Sequence, residues 1–222
     1  MPADNQSVEY FIGETGPTLN FATSFTAQPS FCETSLSFSV SDRSIRNRIT
    51  LTESSFSFAQ LNNLNKAGSG EETYPITLIW RTGNSRVKTK TETITLNLIV
   101  KNPCYVASKL TWTEPAQTDP IVGNYENNQV FVYDPYTVTP IICQSEISVT
   151  CDATVGVVGP SNYLSCEELS GKKLIQRFRG ADYLAGLKPG TYTYTFNVST
   201  NPGQADVTKT FTVDFVLEEP CN

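Results

Sequence analysis

The residues best suited to chemistry in this 222-residue sequence are its six cysteines, Cys32, Cys104, Cys143, Cys151, Cys166 and Cys221. An even number of cysteines in a β-rich chain indicates disulfides formed in an oxidising compartment. The competing interpretation is a zinc site, which favours close pairs such as CxxC and often histidine. The sequence contains no CxxC pair and no histidine. We therefore predict disulfides and an extracellular or cell-surface location.

Two of these cysteines end similar stretches, NLIVKNPC at Cys104 and DFVLEEPC at Cys221. Other landmarks precede them in one order and with small changes in spacing: Gly13, Cys32 and Tyr74 before Cys104, and Gly123, Cys143 and Tyr192 before Cys221. This pattern indicates a tandem duplication with a period of about 111–118 residues, too long for a solenoid repeat. A β-sandwich of about 100 residues fits that period.

The elements that carry these landmarks have strand patterns. In ETSLSFSV, Leu36, Phe38 and Val40 alternate onto one face, and YPITLIW and TETITLNLIV flank a turn at Gly83-Asn84. Each half therefore closes with a β-hairpin, whose last strand is stopped by the proline before the cysteine. We predict an all-β chain of two tandem antiparallel Ig-like β-sandwich domains, residues 1–103 and 104–222, each stapled by a disulfide.

The duplication favours one disulfide pattern, in which each unit is stapled internally by Cys32–Cys104 or Cys143–Cys221. Cys151 and Cys166 have no counterpart in the first half and would then pair with each other. The alternative, Cys104–Cys143, leaves Cys32 and Cys221 without equivalent partners in this chain. The second unit also has an extra segment, CYVASKLTWTEPAQTDP, before its IVG. We expect that the first unit lacks a first strand or uses a shorter one, and that the chain is an excerpt of a longer array.

The alternating strand, the PGTYTYTF strand and the final strand into Pro-Cys resemble immunoglobulin-like or cadherin-like repeats of large extracellular surface proteins, especially those of protists such as ciliates. The resemblance covers nearly the whole chain. It implies a β-sandwich fold and a role as spacer, adhesin or filament unit. The chain departs from antibody-type domains, because no tryptophan lies between two cysteines in the expected core arrangement, and it lacks the calcium-binding linker motif of cadherins.

Catalytic motifs are missing from the sequence. Without histidine there is no Ser-His-Asp or Cys-His arrangement, and no GxSxG, P-loop or GxGxxG occurs. Glu167, Glu168 and Asp182 are interpreted as solvated surface carboxylates, and we predict that the chain is not an enzyme. The basic segment KKLIQRFR is expected to be a helix or an edge strand.

Charge and hydropathy limit the partners. Residues 1–103 carry nine basic and nine acidic residues, and residues 104–222 carry seven basic and thirteen acidic ones, so the second half accounts for the net charge of −6. Such a surface repels phosphate backbones, and we expect no nucleic-acid partner. No apolar run approaches the roughly 18 residues of a membrane helix, so we expect no membrane insertion.

Three kinds of binding or modification site remain as weaker candidates. Calcium could be held by oxygen ligands near the join of the domains, from Glu114, Asp119, Glu126 and Asp134. Trp80 and Trp112 are interpreted as packing residues, although an exposed tryptophan with Tyr105, Tyr133 and Tyr136 would form a sugar platform. Two glycosylation sequons begin at Asn5 and Asn197. We expect no other cofactor.

The sequence therefore predicts a non-catalytic structural module of an extracellular surface or filament assembly, acting as spacer, adhesin or polymer subunit. Its expected partners are other copies or neighbouring repeats of that assembly, and strand addition at an open edge is the expected mode of contact. The alternative is a carbohydrate- or calcium-binding module. Tyr74 and Tyr192, which open the penultimate strands, are expected to tie their hydroxyls to nearby backbone, as in a tyrosine corner.

Overall fold

The structure is a computed structural model that describes residues 6–21, 33–52, 54–84, 87–113, 121–123, 129–133, 136–154, 164–169, 173–178, 189–201 and 204–218. The chain divides into two compact units, Met1–Pro103 and Cys104–Asn222, which are called unit 1 and unit 2 below. Each unit is built from β-strands in separate sheets, with only short helical turns between them.

The described residues of unit 1 form seven strands: β1 (Gln6–Phe11), β2 (Thr18–Asn20), β3 (Glu33–Ser39), β4 (Ile49–Leu51), β5 (Ser55–Phe58), β6 (Glu71–Asn84) and β7 (Val87–Lys101). A four-stranded sheet has the order β1-β7-β6-β3, and a three-stranded sheet has the order β2-β5-β4. All pairs are antiparallel except β1 with β7, which is parallel. A one-turn helix, α1 (Arg43–Arg46), precedes β4.

The core of unit 1 follows from period-two patterning, because alternate strand residues face the same side of a sheet. Ile76 and Leu78 on β6 are buried, and so are Leu96, Leu98 and Val100 on β7. Phe56 and Phe58 on β5, which belongs to the three-stranded sheet, are also buried. The Tyr10 and Phe58 rings meet edge to face with centroids 5.1 Å apart, so the two sheets pack as a sandwich.

Unit 2 contains nine described strands: β8 (Thr111–Thr113), β9 (Ile121–Gly123), β10 (Gln129–Tyr133), β11 (Thr137–Thr139), β12 (Ser148–Thr154), β13 (Leu164–Leu169), β14 (Lys173–Phe178), β15 (Gly190–Ser199) and β16 (Thr208–Leu217). They form a four-stranded sheet in the order β12-β15-β16-β9, a three-stranded sheet β10-β14-β13 and a two-stranded sheet β11-β8. The β9–β16 pair is parallel and the others are antiparallel.

The internal duplication is visible strand by strand. The order β1-β7-β6-β3 matches β9-β16-β15-β12, including the parallel edge, and β2-β5-β4 matches β10-β14-β13. The hairpins also share a register. Tyr74 pairs with Leu98, which lies six residues before Cys104, and Tyr192 pairs with Phe215, which lies six residues before Cys221. The predicted fold class, all-β with tandem Ig-like β-sandwich units, is confirmed.

The second unit has a strand pair that has no counterpart among the described residues of unit 1. The extra segment after Cys104 forms β8, which pairs with β11, and β11 lies between β10 and β12 in the chain. The corresponding stretch of unit 1, residues 22–32, lies outside the described residues. The expectation that KKLIQRFR is a helix or an edge strand is wrong, because β14 lies between β10 and β13.

Each unit has two distinct poles, set by its long hairpin. The turn pole is the end where the hairpin reverses: Asn84 pairs with Val87 in unit 1, and Ser199 pairs with Thr208 in unit 2. The open pole is the opposite end, where Glu71 pairs with Lys101 and Gly190 pairs with Leu217. These two poles decide which cysteines can meet.

Candidate functional site

A buried disulfide between Cys104 and Cys143 is the chemical feature that stands out among the described residues. Its Cα atoms lie 5.4 Å apart, and both residues are fully buried. Both belong to unit 2, so the bond fastens the first residue of that unit to the segment before β12. The covalent link closes a loop with a sequence separation of 39 residues.

The backbone around Cys104 is held at the turn pole of unit 2. Cys104 lies in a short 3-10 turn, Pro103–Tyr105, that no hydrophobic pattern in the sequence predicts. The Thr200 hydroxyl, which follows the end of β15, donates a 2.6 Å hydrogen bond to the Cys104 carbonyl oxygen. Thr200 is itself 3% exposed, so this bond is shielded from water. The start of unit 2 is thus tied to its own long hairpin by a covalent bond and a buried hydrogen bond.

Cys143 is positioned by a second 3-10 segment, Ile141–Glu146. The Cys143 amide donates to the Pro140 carbonyl at 2.9 Å. The Gln144 side chain accepts from the Val138 amide at 3.0 Å and donates to the Tyr136 carbonyl at 2.8 Å. Because one side chain satisfies both backbone groups, the segment is fixed against β11 and presents Cys143 toward Cys104.

The connection that follows β15 is fixed by a network of hydrogen bonds around the Ser199 hydroxyl. The Ser199 hydroxyl is buried, accepts from the Asn201 amide and the Thr208 hydroxyl, and donates to the Val207 carbonyl. These bonds satisfy polar groups that would otherwise be costly to bury. The roles of Ser199 and Thr200 were not predicted from the sequence.

The predicted internal staples, Cys32–Cys104 and Cys143–Cys221, are wrong, because Cys104 is bonded to Cys143. The poles give the physical reason. Cys32 directly precedes Glu33, which pairs with Gly83 at the turn pole, whereas Cys104 follows Lys101, which pairs with Glu71 at the open pole. Twelve strand residues separate Gly83 from Glu71, roughly 40 Å at about 3.3 Å per residue. Two disulfide-bonded cysteines need Cα atoms within about 7 Å.

The structure does not describe the side chains of the other four cysteines. Cys151 lies on β12 and Cys166 on β13, two strands that contact each other, but their side chains are not described. A Cys151–Cys166 bond therefore stays a prediction. Cys32 and Cys221 lie outside the described residues.

The predicted calcium ligands Glu114, Asp119, Glu126 and Asp134 all lie outside the described residues, so the calcium site stays a prediction. Within the described ranges no group of three or more His, Cys, Asp or Glu side chains could hold a metal ion. Asp182 also lies outside the described residues, and the side chains of Glu167 and Glu168, on β13, are not described.

The two sequons differ in what the structure says of them. Asn5 lies outside the described residues. Asn197 is half-buried in the middle of β15, and its side-chain oxygen accepts a 2.7 Å hydrogen bond from the Thr210 hydroxyl. Glycosylation at either position stays a prediction.

The aromatic residues of unit 2 pack against each other where they are described. Trp112 meets Tyr136 edge to face, with ring centroids 6.4 Å apart. Tyr136 is 2% exposed, so its ring cannot stack on a sugar, and its predicted place in a sugar platform is wrong. Tyr105 and Trp80 are half-buried, and the Tyr133 side chain is not described.

The tyrosine–backbone contact predicted at Tyr74 is present. The Tyr74 hydroxyl donates to the Lys66 carbonyl at 2.9 Å, and burial raises the pKa of the phenol. The Tyr192 side chain is not described. Tyr10, which the sequence analysis did not single out, accepts from the Leu61 amide at 2.7 Å and donates to the Leu61 and Glu14 carbonyls. Burial also raises the pKa of Tyr10.

Charged side chains in unit 1 form local pairs. The Lys66 ammonium lies 2.7 Å from the Asp42 carboxylate and holds the pKa of that carboxyl well below its usual range. Asp42 also caps α1 by accepting from the Ser44 and Ile45 amides. Lys101 pairs with Glu9 at 2.6 Å, and this hydrogen bond raises the pKa of the lysine. These pairs join neighbouring elements of unit 1.

No helix in the described part of the chain is long and apolar enough to span a membrane.

No protein-family model matches the chain, and no curated protein matches it in sequence. A fragment of titin has a TM-score of 0.43 at 11% identity, with 96% of this chain and 63% of that one covered. Human mucin-like protocadherin has a TM-score of 0.41 at 13% identity, with 96% and 95% covered. An endo-fucoidan hydrolase from glycoside hydrolase family 107 has a TM-score of 0.34 at 10% identity, with 97% of this chain covered.

The chain spans 28% of the length of that hydrolase. The protist, ciliate-type origin suggested by the sequence stays a prediction.

Proposed function

We propose that this chain is a non-catalytic structural segment of an extracellular surface or filament assembly, acting as spacer, adhesin or polymer subunit. The observation that carries the proposal is the anchoring of unit 2. Its first residue, Cys104, is covalently bonded at the turn pole and hydrogen-bonded by the buried Thr200 hydroxyl.

This anchoring suits a chain that transmits force. Tension passed along the polypeptide from unit 1 reaches unit 2 at Cys104. The disulfide to Cys143 carries that tension into the body of unit 2 before any strand has to separate. A disulfide also fits an oxidising, extracellular setting. Repetition of one fold with the same strand order in both units fits a spacer, whose task is length rather than chemistry.

The alternative of a sugar-binding surface is not favoured, since Tyr136 is buried and its ring meets Trp112 edge to face. Strand addition from a neighbouring unit remains part of the proposal. The β3 edge has no strand on its outer side in the described sheet, and β3 contains neither lysine nor proline, the residues that commonly protect exposed edges.

The test is surface accessibility on cells of the native source. An antibody raised against the 222-residue chain should label intact cells, and the labelled protein should carry the Cys104–Cys143 bond in a non-reducing peptide map. An antibody against a cytosolic enzyme of the same cells serves as the control. Label that appears only after permeabilisation, with free Cys104 and Cys143 thiols, would contradict the extracellular assignment.

A further inference from the structure

We propose that two copies of this chain pair through β3 (Glu33–Ser39), antiparallel and about a two-fold axis at Leu36, so that the four-stranded sheets of their first units join into one continuous sheet. The proposal rests on the proposed function and deepens it, because it names a second copy of this chain as the partner of the open edge. It is carried by the pairing of β3, by the exposure of its side chains and by the charges at its two ends.

The first observation is the position of β3 in its sheet. β3 is the outer strand of the order β1-β7-β6-β3, and among the described residues it pairs only with β6. Its sequence, ETSLSFS, contains no lysine and no proline, and its one charged residue is Glu33 at the start. Charged residues and prolines are the usual protection of an edge strand against pairing with another chain. This edge is therefore suited to receive a further strand.

The second observation is that the apolar side chains of β3 are not fully covered. Leu36 and Phe38 are only half-buried, although Leu78, the cross-strand partner of Phe38, is 1% exposed. Ser35 and Ser37, which alternate with them, are exposed on the opposite face of the sheet. A further strand with the same alternation would extend the apolar face beside Leu36 and Phe38 and would leave the serines in water.

β3 of a second copy has that alternation. When Leu36 stands opposite Leu36 of the second copy, all seven residues of the strand are paired. Phe38 then stands opposite Thr34 of the second copy, and Ser35 stands opposite Ser37. A shift by one residue would place apolar side chains opposite serines, since successive strand residues point to opposite faces. The alternation therefore selects a register that keeps both faces continuous.

The charges at the two ends of β3 favour antiparallel over parallel pairing. Glu33 opens the strand, and Arg43, which is exposed, follows shortly after its end. Asp42, beside Arg43, is already paired with the Lys66 ammonium at 2.7 Å. Antiparallel pairing places Glu33 of one copy at the same end of the ladder as Arg43 of the other. Parallel pairing would place like charges at each end, which is unfavourable.

The equivalent edge of unit 2 lacks these properties. β12 occupies the place of β3, and it carries Asp152 opposite Thr195, where β3 carries Ser39 opposite Thr77. A charged residue within an edge strand discourages pairing with another chain. β12 also contacts β13 of the other sheet more extensively than β3 contacts β4. We therefore assign the pairing to unit 1.

A lysine scan of one cross-strand row tests the pairing in the full chain. Ser37→Lys puts a charge on an exposed position of β3, and the two new lysines of a dimer would lie diagonal to each other. Thr93→Lys is the matched control, because Thr93 is exposed in the same row through Ile79 but lies on the inner strand β7. Sedimentation velocity over a concentration series measures the dimer, and thermal melts check that both variants fold.

We expect wild type and Thr93→Lys to form dimers with similar dissociation constants. Ser37→Lys should raise that constant about tenfold, because two lysines enter each interface. Both copies use the same strand, so the contact is isologous and should close at the dimer.

A cysteine crosslink tests the register. Ser35→Cys and Ser37→Cys place thiols at positions that oppose each other across the two copies, with Cβ atoms about 4.5–5.5 Å apart. An equimolar mixture of the two variants is oxidised and digested without reduction, and the bonds are mapped by mass spectrometry. The map should contain a bond between residues 35 and 37 of different chains.

Wild-type monomers at every concentration, equal weakening by Ser37→Lys and Thr93→Lys, or a bond between two residues 37 in place of the bond between residues 35 and 37 would each overturn the pairing. These measurements use the purified chain and do not depend on where a cell keeps it. Failure of the pairing would leave cell-surface labelling unchanged, and failure of cell-surface labelling would leave the measured dimer unchanged.

Discussion

At the scale of single residues, two tyrosine hydroxyls make hydrogen bonds to the backbone, and only one of these contacts can be predicted from the local sequence. Tyr74 is the fourth residue of β6, and its place at the head of the alternating segment YPITLIW is enough to predict a bond to nearby backbone. Tyr10 makes the larger set of bonds, to Leu61 and Glu14, and its partner Leu61 lies 51 residues away. No local feature marks such a partner, so Tyr10 could not be identified before the fold was known.

Tyr10→Phe should destabilise unit 1 more than Tyr74→Phe. Removing the Tyr10 hydroxyl leaves the buried Leu61 amide without its acceptor, which costs about 1–3 kcal/mol of unfolding free energy. Removing the Tyr74 hydroxyl leaves the Lys66 carbonyl, in a half-buried residue that water can reach, without this donor. We expect a loss of about 0.5–1.5 kcal/mol of unfolding free energy. Denaturant unfolding followed by Trp80 fluorescence, in a Trp112→Phe background, measures both. Equal losses would contradict this reading of the Tyr10 contacts.

Asp42 should give unit 1 a stability contribution that depends on pH. Its pKa in the folded chain is lowered by the Lys66 ammonium, so the contribution is present above the unfolded pKa of about 3.8 and is lost as pH falls below it. Asp42→Ala also removes the α1 cap, for about 0.5–2 kcal/mol at neutral pH.

Asp42→Asn is the matched control, because it keeps a capping oxygen and loses the charge. The stability difference between wild type and Asp42→Asn should be a few tenths of a kcal/mol to about 1 kcal/mol at pH 7, as for an exposed ion pair. It should shrink toward pH 2 in urea titrations. A difference that stays constant from pH 7 to pH 2 would show that Lys66 does not hold the carboxylate charge.

At the scale of secondary-structure elements, alternation identified the long hairpins but not every strand. YPITLIW and TETITLNLIV became β6 and β7 because their apolar residues recur at every second position and fill one core face. KKLIQRFR became the central strand β14, paired with β10 more than 40 residues earlier. Whether a strand lies at the centre or the edge of a sheet depends on such distant partners. The basic residues in the sequence of the strand do not indicate which partners it will have.

Gly16→Ala should disrupt the start of the β2–β5–β4 sheet. A Cβ at Gly16 would overlap the Phe58 backbone carbonyl, with the carbonyl carbon at 2.6 Å, so the backbone would have to move. The Phe58 amide donates to the Pro17 carbonyl beside it, and that bond would be disturbed. We expect a loss of several kcal/mol, above the roughly 1–3 kcal/mol of ordinary overpacking.

Gly68→Ala provides the control in the same unit. Its nearest neighbour would be the Asn65 carbonyl oxygen at 3.9 Å, and Gly68 already has a helical backbone with φ of −60°. This substitution should be neutral or slightly stabilising, by up to about 1 kcal/mol, through the unfolded state. Thermal melts of Gly16→Ala and Gly68→Ala separate the steric overlap at Gly16 from the general effect of replacing a glycine on the unfolded state.

At the scale of the whole molecule, the duplication was readable in the sequence, whereas the disulfide pattern was not. The predicted pairing of Cys32 with Cys104 and of Cys143 with Cys221 is wrong, because Cys104 is bonded to Cys143. That bond lies within unit 2 and joins its first residue to the segment before β12.

Loss of the Cys104–Cys143 bond should destabilise unit 2 and leave unit 1 unchanged. The double variant Cys104→Ser/Cys143→Ser should lose about 2–4 kcal/mol of unfolding free energy in unit 2. Trp112 fluorescence reports unit 2 in a Trp80→Phe background, and Trp80 reports unit 1 in a Trp112→Phe background. A matching loss at Trp80 would indicate that the two units unfold together.

Strand addition should also be measurable by adding a peptide that corresponds to the first strand that unit 1 is expected to lack. A peptide with the sequence YVASKLTW, which contains part of β8, should raise the melting temperature of unit 1 as reported by Trp80 in a Trp112→Phe background. A peptide of the same composition in scrambled order is the control. Equal effects of the two peptides, or no shift with either, would count against strand addition.

The sequence by itself determined the β class, the duplication, the long hairpins and the strand that each Pro-Cys step ends, because these depend on local periodicity and on spacing along the chain. Only the tertiary structure decided that Cys104 bonds to Cys143, that Tyr136 is buried, and that β14 is central. Each of these depends on which distant segments meet. The same alternating pattern is compatible with several strand orders, and the poles that separate or join two cysteines exist only once one order is fixed.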